Sequence, residues 1–85
     1  MPNQQTDKLS QTWAKTATQA LQGKTISHVT YQYPEQKDEL GWTTSAPVIV
    51  FEDGTQLIPI ADEEMNEAGA FCIIEESIEN IIPPI

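Results

Sequence analysis

The sequence predicts an α+β fold in which one amphipathic helix at the amino terminus packs on a small, mainly antiparallel sheet of about four strands. Three observations carry this prediction. Apolar residues recur at three- and four-residue steps early in the chain, β-branched and aromatic residues dominate later segments, and Asp-Gly joins two central apolar runs. The 85 residues allow one domain, 1–85, in which residues 1–5 are expected to be flexible.

Residues 7–22 are predicted to form the helix. Its apolar stripe consists of Leu9, Trp13, Ala17, Ala20 and Leu21. Thr6 is predicted to cap the amino-terminal end, and Gly23 is expected to take the left-handed conformation that closes the last turn. Because several threonines lower the helix propensity, packing of Trp13 and Leu21 on the sheet is expected to hold the helix in place.

Residues 25–33 are predicted to form a strand, since β-branched and aromatic residues dominate them. Two sets alternate along this segment, Val29, Tyr31 and Tyr33 against His28, Thr30 and Gln32. The alternation predicts one buried face and one wet face. Ile26 is out of phase with the apolar set, which indicates a bulge or burial of both faces at the strand start.

Residues 34–40 are predicted to form one or two helical turns, with Pro34 at the first helical position and Gly41 closing the last turn. Residues 47–60 hold two apolar runs joined by Asp53-Gly54, which supplies positive φ for a two-residue hairpin turn. The continuously apolar residues 48–51 are expected to lie centrally in the sheet. Pro59 cannot donate to a ladder and places its strand at an edge or bulge.

The last third of the chain is predicted to add one more strand, residues 70–74, and a tail that docks on the domain. The tail prolines forbid a regular helix at its end. The side chains expected to dock are Ile78, Ile81, Ile82 and Ile85.

The net charge of −9 is divided unevenly: residues 51–85 carry nine carboxylates and no Lys or Arg, while residues 1–50 carry four charges of each sign. Four lysines without arginine form no basic patch, which excludes direct nucleic-acid binding, and the negative charge disfavours anionic membrane surfaces. No segment approaches the roughly 18–20 apolar residues of a membrane span. With a single thiol, Cys72, the chain forms no internal disulfide, and a cytoplasmic location is expected.

An acidic segment, residues 62–67, is predicted to form a loop or a short helical turn. Its alternating oxygen-bearing side chains are typical of the start of a calcium-binding loop. The pattern then fails, because the sixth position requires Gly and is Glu67, and the twelfth requires Glu and is Ile73. The alternatives are a solvated loop and a weak Ca²⁺ or Mg²⁺ site formed by Asp62, Glu63, Glu64 and Asn66. No other cofactor is expected.

Trp42 follows a glycine in a small polar loop, where it either caps the edge of the core or anchors a partner protein. If the strand at 25–33 lies at a sheet edge, Tyr31 and Tyr33 extend a contact patch around Trp42. The single imidazole, His28, is expected at the surface. Cys72 is expected to be a small buried hydrophobe, and nothing in the spacing pairs these two residues for nucleophilic chemistry.

A set of short motifs covers residues 22–74: Leu40-Gly-Trp42, Asp53-Gly-Thr55, Pro59, Asp62-Glu63-Glu64, Asn66 and Gly69-Ala-Phe71. This pattern resembles one found in small uncharacterised bacterial proteins. In those proteins the residue before the asparagine is more usually Gly, where this chain has Met65. The resemblance implies a bacterial origin and a compact domain, and it transfers no activity and no site residue.

Two functions fit these observations. The first is a non-catalytic protein-interaction module whose acidic carboxy-terminal half meets a basic protein surface, since no catalytic constellation is visible. The second is a weak divalent-cation or small-ligand binding domain that uses residues 62–67. A homodimer, formed through the apolar tail or an uncovered hairpin edge, is a further alternative.

Overall fold

The computed structural model describes residues 4–85, with side chains from residue 8 onward. Over this range the order of elements is α1 (Gln4–Leu21), β1 (Ile26–Tyr31), α2 (Pro34–Leu40), β2 (Pro47–Phe51), β3 (Gln56–Leu57), β4 (Phe71–Glu75) and β5 (Ile78–Ile82). The predicted α+β class is confirmed. The strands are divided between two antiparallel sheets, where one sheet of about four strands was predicted. None of the helices within residues 4–85 combines the length and the apolar character that crossing a membrane requires.

The first sheet has the order β1-β2-β3, so the continuously apolar strand β2 is central, as predicted. β3 is an edge strand that ends at Leu57, two residues before Pro59, because proline has no N–H for the ladder. The N–H of Phe51 donates to the carbonyl of Thr55 at 2.9 Å, so the hairpin loop inside this bond has three residues, 52–54, where two were predicted. The N–H of Gly54 donates to the carbonyl of Phe51 at 3.0 Å, and Gly54 adopts φ 90°, as in a type I turn followed by a bulge.

β1 contains the irregularity that the phase of Ile26 indicated. The register against β2 shifts between Ile26 and His28, which confirms the bulge alternative. The predicted faces are wrong at three positions, since Val29 is 54% exposed, Tyr33 is 71% exposed and Gln32 is buried. Gln32 lies inside because its Oε1 accepts the N–H of Ala46 at 3.0 Å, and this bond satisfies a backbone donor in the core.

α2 begins and ends where the sequence predicts. Gly41 adopts the left-handed conformation with φ 76°, and its N–H donates to Asp38 at 3.1 Å. The N–H of Trp42 reaches back to the carbonyl of Lys37 at 2.9 Å, which completes a Schellman motif. This helix end turns the chain so that Trp42 enters the core.

The core is small and lies between β2 and the segment 58–68. Trp42, Ala46 and Ala68 form its centre, with Ile58 packed against them. β2 contributes Pro47, Val48 and Phe51, which are also buried.

Gly69 allows the two ends of the 58–68 segment to approach closely at the edge of this core. Ile60 and Ala68 form an isolated antiparallel bridge. A Cβ atom added at Gly69 would lie 3.0 Å from the backbone carbonyl atoms of Ile60.

α1 differs from prediction at its start and in its packing. The helix already includes Gln4 and Gln5, so Thr6 lies within it; the rest of the segment expected to be flexible, residues 1–3, lies outside the described range. Leu9 is 61% exposed and Trp13 65% exposed, so the expected packing of Trp13 on the sheet is not observed. The reason is that Trp42 and the 58–68 segment fill the core positions that a helix would cover.

The carboxy-terminal strands β4 and β5 form a second hairpin, which the sequence did not predict. Glu75 pairs with Ile78 across a two-residue turn, and both turn residues, Glu76 and Ser77, have positive φ (49° and 68°). Two consecutive positive φ values are typical of a type I′ turn, which normally carries Asn-Gly.

The tail docks through its backbone, whereas the sequence predicted docking through isoleucine side chains. The hydroxyl of Tyr31 donates to the carbonyl of Pro83 at 2.8 Å. Ile85 and Ser45 exchange backbone hydrogen bonds, of which Ile85 N–H to Ser45 O measures 2.9 Å. Of the four isoleucines expected to dock, three are exposed: Ile78, Ile81 and Ile85.

Candidate functional site

Trp42, the first predicted contact residue, is 4% exposed and belongs to the core. Its indole Nε1–H donates to the carbonyl of Met65 at 2.8 Å, which satisfies the polar end of the ring. The structure therefore has the capping arrangement, and Trp42 offers no surface to a partner.

The two predicted tyrosines have different surroundings. Tyr31 is half-buried, and its hydroxyl is engaged by the tail at Pro83. Tyr33 is 71% exposed at the start of α2, where its N–H donates to the side chain of Gln36 at 2.8 Å. Since Trp42 is buried, the three aromatic residues do not form the exposed patch that the sequence suggested.

The acidic loop is organised by Asp62. Its carboxylate accepts the N–H of Glu64 at 3.0 Å, and both the N–H and the Nδ2–H of Asn66 at 3.2 and 3.0 Å. The side chain of Asn66, followed by its N–H, lowers the pKa of Asp62. These three bonds occupy most of the roughly four acceptor sites of the carboxylate with groups of the loop itself, which favours the solvated-loop alternative.

Asn66 also links Asp62 to Glu64, the next predicted member of the cation site. Glu64 Oε2 accepts a long bond of 3.3 Å from Asn66, and Glu63 is exposed. Within the part of the chain that the structure describes, no group of three or more His, Cys, Asp or Glu side chains is placed to hold a metal ion.

Glu67 is a structural carboxylate that the sequence analysis did not identify. Its Oε1 accepts the N–H groups of Thr43 at 2.9 Å and Thr44 at 3.2 Å. These bonds, led by the one from Thr43, lower the pKa of Glu67 to about 2. Glu67 thereby fastens the acidic loop to the chain beside Trp42. The two threonines precede Glu67 by 24 and 23 positions, so no short-range sequence pattern indicates this contact.

A polar cleft of about 150 Å³ lies beside β1 and the start of α2. Its polar lining includes His28, Tyr33, Gln36 and Gln56. Small-molecule sites usually measure about 300–1,000 Å³, so this cleft is undersized for a substrate. The imidazole of His28 is exposed, as predicted, and its Nδ1 lies 3.0 Å from Ser27 Oγ.

The most unusual surface feature is the apolar stripe of α1, defined here as Leu9, Trp13, Ala17 and Leu21. Leu9 and Trp13 are mostly exposed, and a shallow apolar groove continues the stripe at Ala17 and Leu21. A mostly exposed tryptophan next to an exposed leucine on one helix face is unusual for a purely structural position. The stripe was visible in the sequence, but it was assigned to the core.

The second apolar surface is the C-terminal hairpin, defined as β4, β5 and their turn. Cross-strand pairing places Cys72, Ile74 and Ile81 on one face, and all three are exposed. The prediction that Cys72 is buried is therefore wrong. On the opposite face Ile73 is 45% exposed and Ile78 is 63% exposed, while Phe71 and Ile82 are half-buried.

Comparisons of this chain with models of protein families, with curated proteins and with solved structures find no match.

Proposed function

We propose that this chain is a non-catalytic protein-interaction module of the bacterial cytoplasm. Its contact surfaces are the apolar stripe of α1 and the C-terminal hairpin. The exposure of Trp13, at 65%, is the single observation that carries the proposal. Tryptophan is the side chain most enriched among residues that dominate binding energy at protein interfaces.

The hairpin supports the same proposal independently. Ile74, Ile78 and Ile81 are each more than half exposed, on a two-stranded unit whose two faces both carry apolar side chains. An isolated two-stranded hairpin is marginally stable in water, so a covering partner would contribute to its stability. The three glutamates of this hairpin favour a partner surface that carries positive charge.

The test compares two variants of α1 that introduce the same side chain on opposite sides of one helix. Trp13→Lys changes the apolar stripe, and Gln11→Lys changes the opposite face. An affinity-tagged chain is used to capture proteins from a bacterial lysate that also contains the untagged chain. We expect a specific protein to be retained by the wild type and by Gln11→Lys and lost with Trp13→Lys.

Salt dependence adds a second readout. An interface dominated by apolar side chains persists between about 0.05 and 0.5 M salt, whereas a purely charge-steered contact weakens steeply over this range. Equal capture by the two lysine variants would contradict the proposal, because the stripe would then make no contribution to binding.

A further inference from the structure

We infer that the partner is a second copy of this chain, bound so that the apolar stripe of α1 from each copy lies on the C-terminal hairpin of the other around a two-fold axis. This inference rests on the proposed function, since it assigns an occupant to the same two surfaces. Four observations lead to it: the accessible area, the elongated shape, the complementary charge of the two surfaces, and the face of the hairpin that is open.

The accessible area of the chain is too large for a monomer of its size. The structure exposes 6735 Å² for a chain of 9.5 kDa. Folded monomers of this mass expose about 5,000 Å². The excess is about 1,700 Å² per chain, and two chains that hide it from each other form an interface of about 3,400 Å², within the 2,000–5,000 Å² typical of obligate homodimers.

The shape explains where this area lies. The radius of gyration is 14.9 Å, against about 12 Å for a compact domain of 85 residues. α1 has 18 residues and is therefore about 27 Å long, and its described side chains up to Ala20 are exposed. The helix thus presents its apolar stripe beyond the small core, where a second chain can reach it.

Charge determines which surface meets which. α1 contains Lys8, Lys15 and one acid, Asp7, so its net charge is +1, whereas the hairpin contains Glu75, Glu76 and Glu79 and no basic residue. Pairing two helices or two hairpins would bring like charges together, while helix on hairpin brings opposite charges together.

The two lysines lie on the side of α1 opposite the apolar stripe. A surface that contacts the stripe therefore lies about one helix diameter, roughly 10 Å, from the lysine side of the helix. This distance is close to the Debye length at about 0.1 M salt, so the attraction sets orientation and the apolar contact supplies most of the affinity.

The face of the hairpin is also determined. Cys72, Ile74, Glu79 and Ile81 lie together and are all exposed, whereas the opposite face is exposed at Ile73 and Ile78 and half-buried at Phe71 and Ile82. The stripe therefore docks on the face with Ile74 and Ile81, with Trp13 as its anchor. The reciprocal arrangement covers both surfaces of both copies in one closed dimer.

The first experiment measures the mass of the 85-residue chain by sedimentation velocity over a range of concentrations. We expect twice the 9.5 kDa chain mass for the wild type and for Gln11→Lys, including at about 0.5 M salt. Trp13→Lys and, independently, Ile74→Lys are expected to sediment as monomers. Circular dichroism of each variant checks that the fold is retained, which is expected because both changed side chains are exposed.

The second experiment uses the native thiol of Cys72 as a positional probe. Ala17→Cys places a second thiol on the stripe, and oxidation by copper phenanthroline in air is followed on a non-reducing gel. We expect a covalent dimer for Ala17→Cys that is absent from the wild type and from the double variant Ala17→Cys/Cys72→Ser.

Each alternative result overturns the inference. A Cys72–Cys72 dimer in the wild type would indicate hairpin-to-hairpin pairing, and a disulfide-bonded monomer of Ala17→Cys would indicate that α1 folds onto its own hairpin. A monomer at all concentrations excludes the second copy. If the capture experiment still separates Trp13→Lys from Gln11→Lys, only this inference fails and the proposed function stands with a different partner.

Discussion

Met65 has a backbone conformation that a residue with a side chain disfavours. At this position we therefore expect a glycine variant to be more stable than an alanine variant. The φ of Met65 is 61°, in the left-handed region, and its carbonyl accepts the indole N–H of Trp42. The conformation is thus tied to the core and cannot relax without loss of that bond. Gly is the residue that this conformation favours.

We predict that Met65→Gly is more stable than Met65→Ala. Both variants remove the same side chain, which is half exposed, so its lost contacts cancel in the comparison. The left-handed conformation costs an L-residue with a Cβ about 1–2 kcal/mol, and Gly avoids this cost. Gly in turn has about 0.4–1 kcal/mol more chain entropy to lose on folding. The difference leaves Gly ahead by about 0.5–1 kcal/mol, the reverse of the usual order.

The assay is urea and thermal unfolding followed by circular dichroism. For a domain of this size the difference corresponds to about 2–8 °C in Tm. The matched control is Glu39→Gly against Glu39→Ala in α2, where Gly should be the less stable by about 0.5–1 kcal/mol. If Met65→Gly is no more stable than Met65→Ala while the control pair behaves as expected, the left-handed assignment is refuted.

Three further predictions concern the acidic loop, the C-terminal hairpin and the contact at Gly69. The pKa of Glu67 is lowered to about 2 from an ordinary value of 4.5. The stability that this carboxylate contributes is therefore complete above pH 4.5 and is lost as the pH falls towards 2. Glu67→Gln should reduce the decline of the urea midpoint between these pH values, and an unchanged decline would rule out this role. Glu63→Gln, in the same loop, serves as the control and should retain the wild-type profile. Ser77→Gly should stabilise the β4–β5 turn by about 0.5–1 kcal/mol relative to Ser77→Ala. Amide hydrogen exchange in β4 and β5 measures this difference. Equal protection in the two variants would argue against positive φ at Ser77. Gly69→Ala should lower the unfolding free energy by about 1–3 kcal/mol, because the new methyl group meets the backbone of Ile60; a neutral effect in thermal unfolding would show that the two segments are not in close contact.

The local elements were predicted well where one residue determines the local backbone. Pro34 and Gly41 mark the ends of α2, and the phase of Ile26 indicated the bulge in β1. The second hairpin was missed because its turn, Glu76-Ser77, has neither Asn nor Gly. Its positive φ values are imposed by the pairing of β4 with β5, and a local pattern does not report on such pairing.

The candidate site was less predictable, because the roles of its residues depend on what lies opposite them. Trp13 was predicted to pack on the sheet, and Trp42 was predicted either to cap the core edge or to anchor a partner. Trp42 is buried because the Schellman motif at Gly41 turns it towards Met65 and Ala68. Trp13 is exposed because nothing in the described chain is left to cover it. Periodicity identifies an apolar stripe on a helix, but it does not identify what the stripe packs against.

The sequence by itself determined the α+β class, the central position of β2, the ends of α2 and the segregation of nine uncompensated carboxylates in the second half. These properties follow from period, backbone restriction and charge, all of which act over a few residues. Only the tertiary structure decided that the side chains of Glu67 and Gln32 accept hydrogen bonds from backbone N–H groups of distant segments. It also decided that the apolar side chains Leu9 and Trp13 of α1 are exposed. The reason is that burial depends on contacts between segments far apart in the chain, and the small core is formed by residues outside α1.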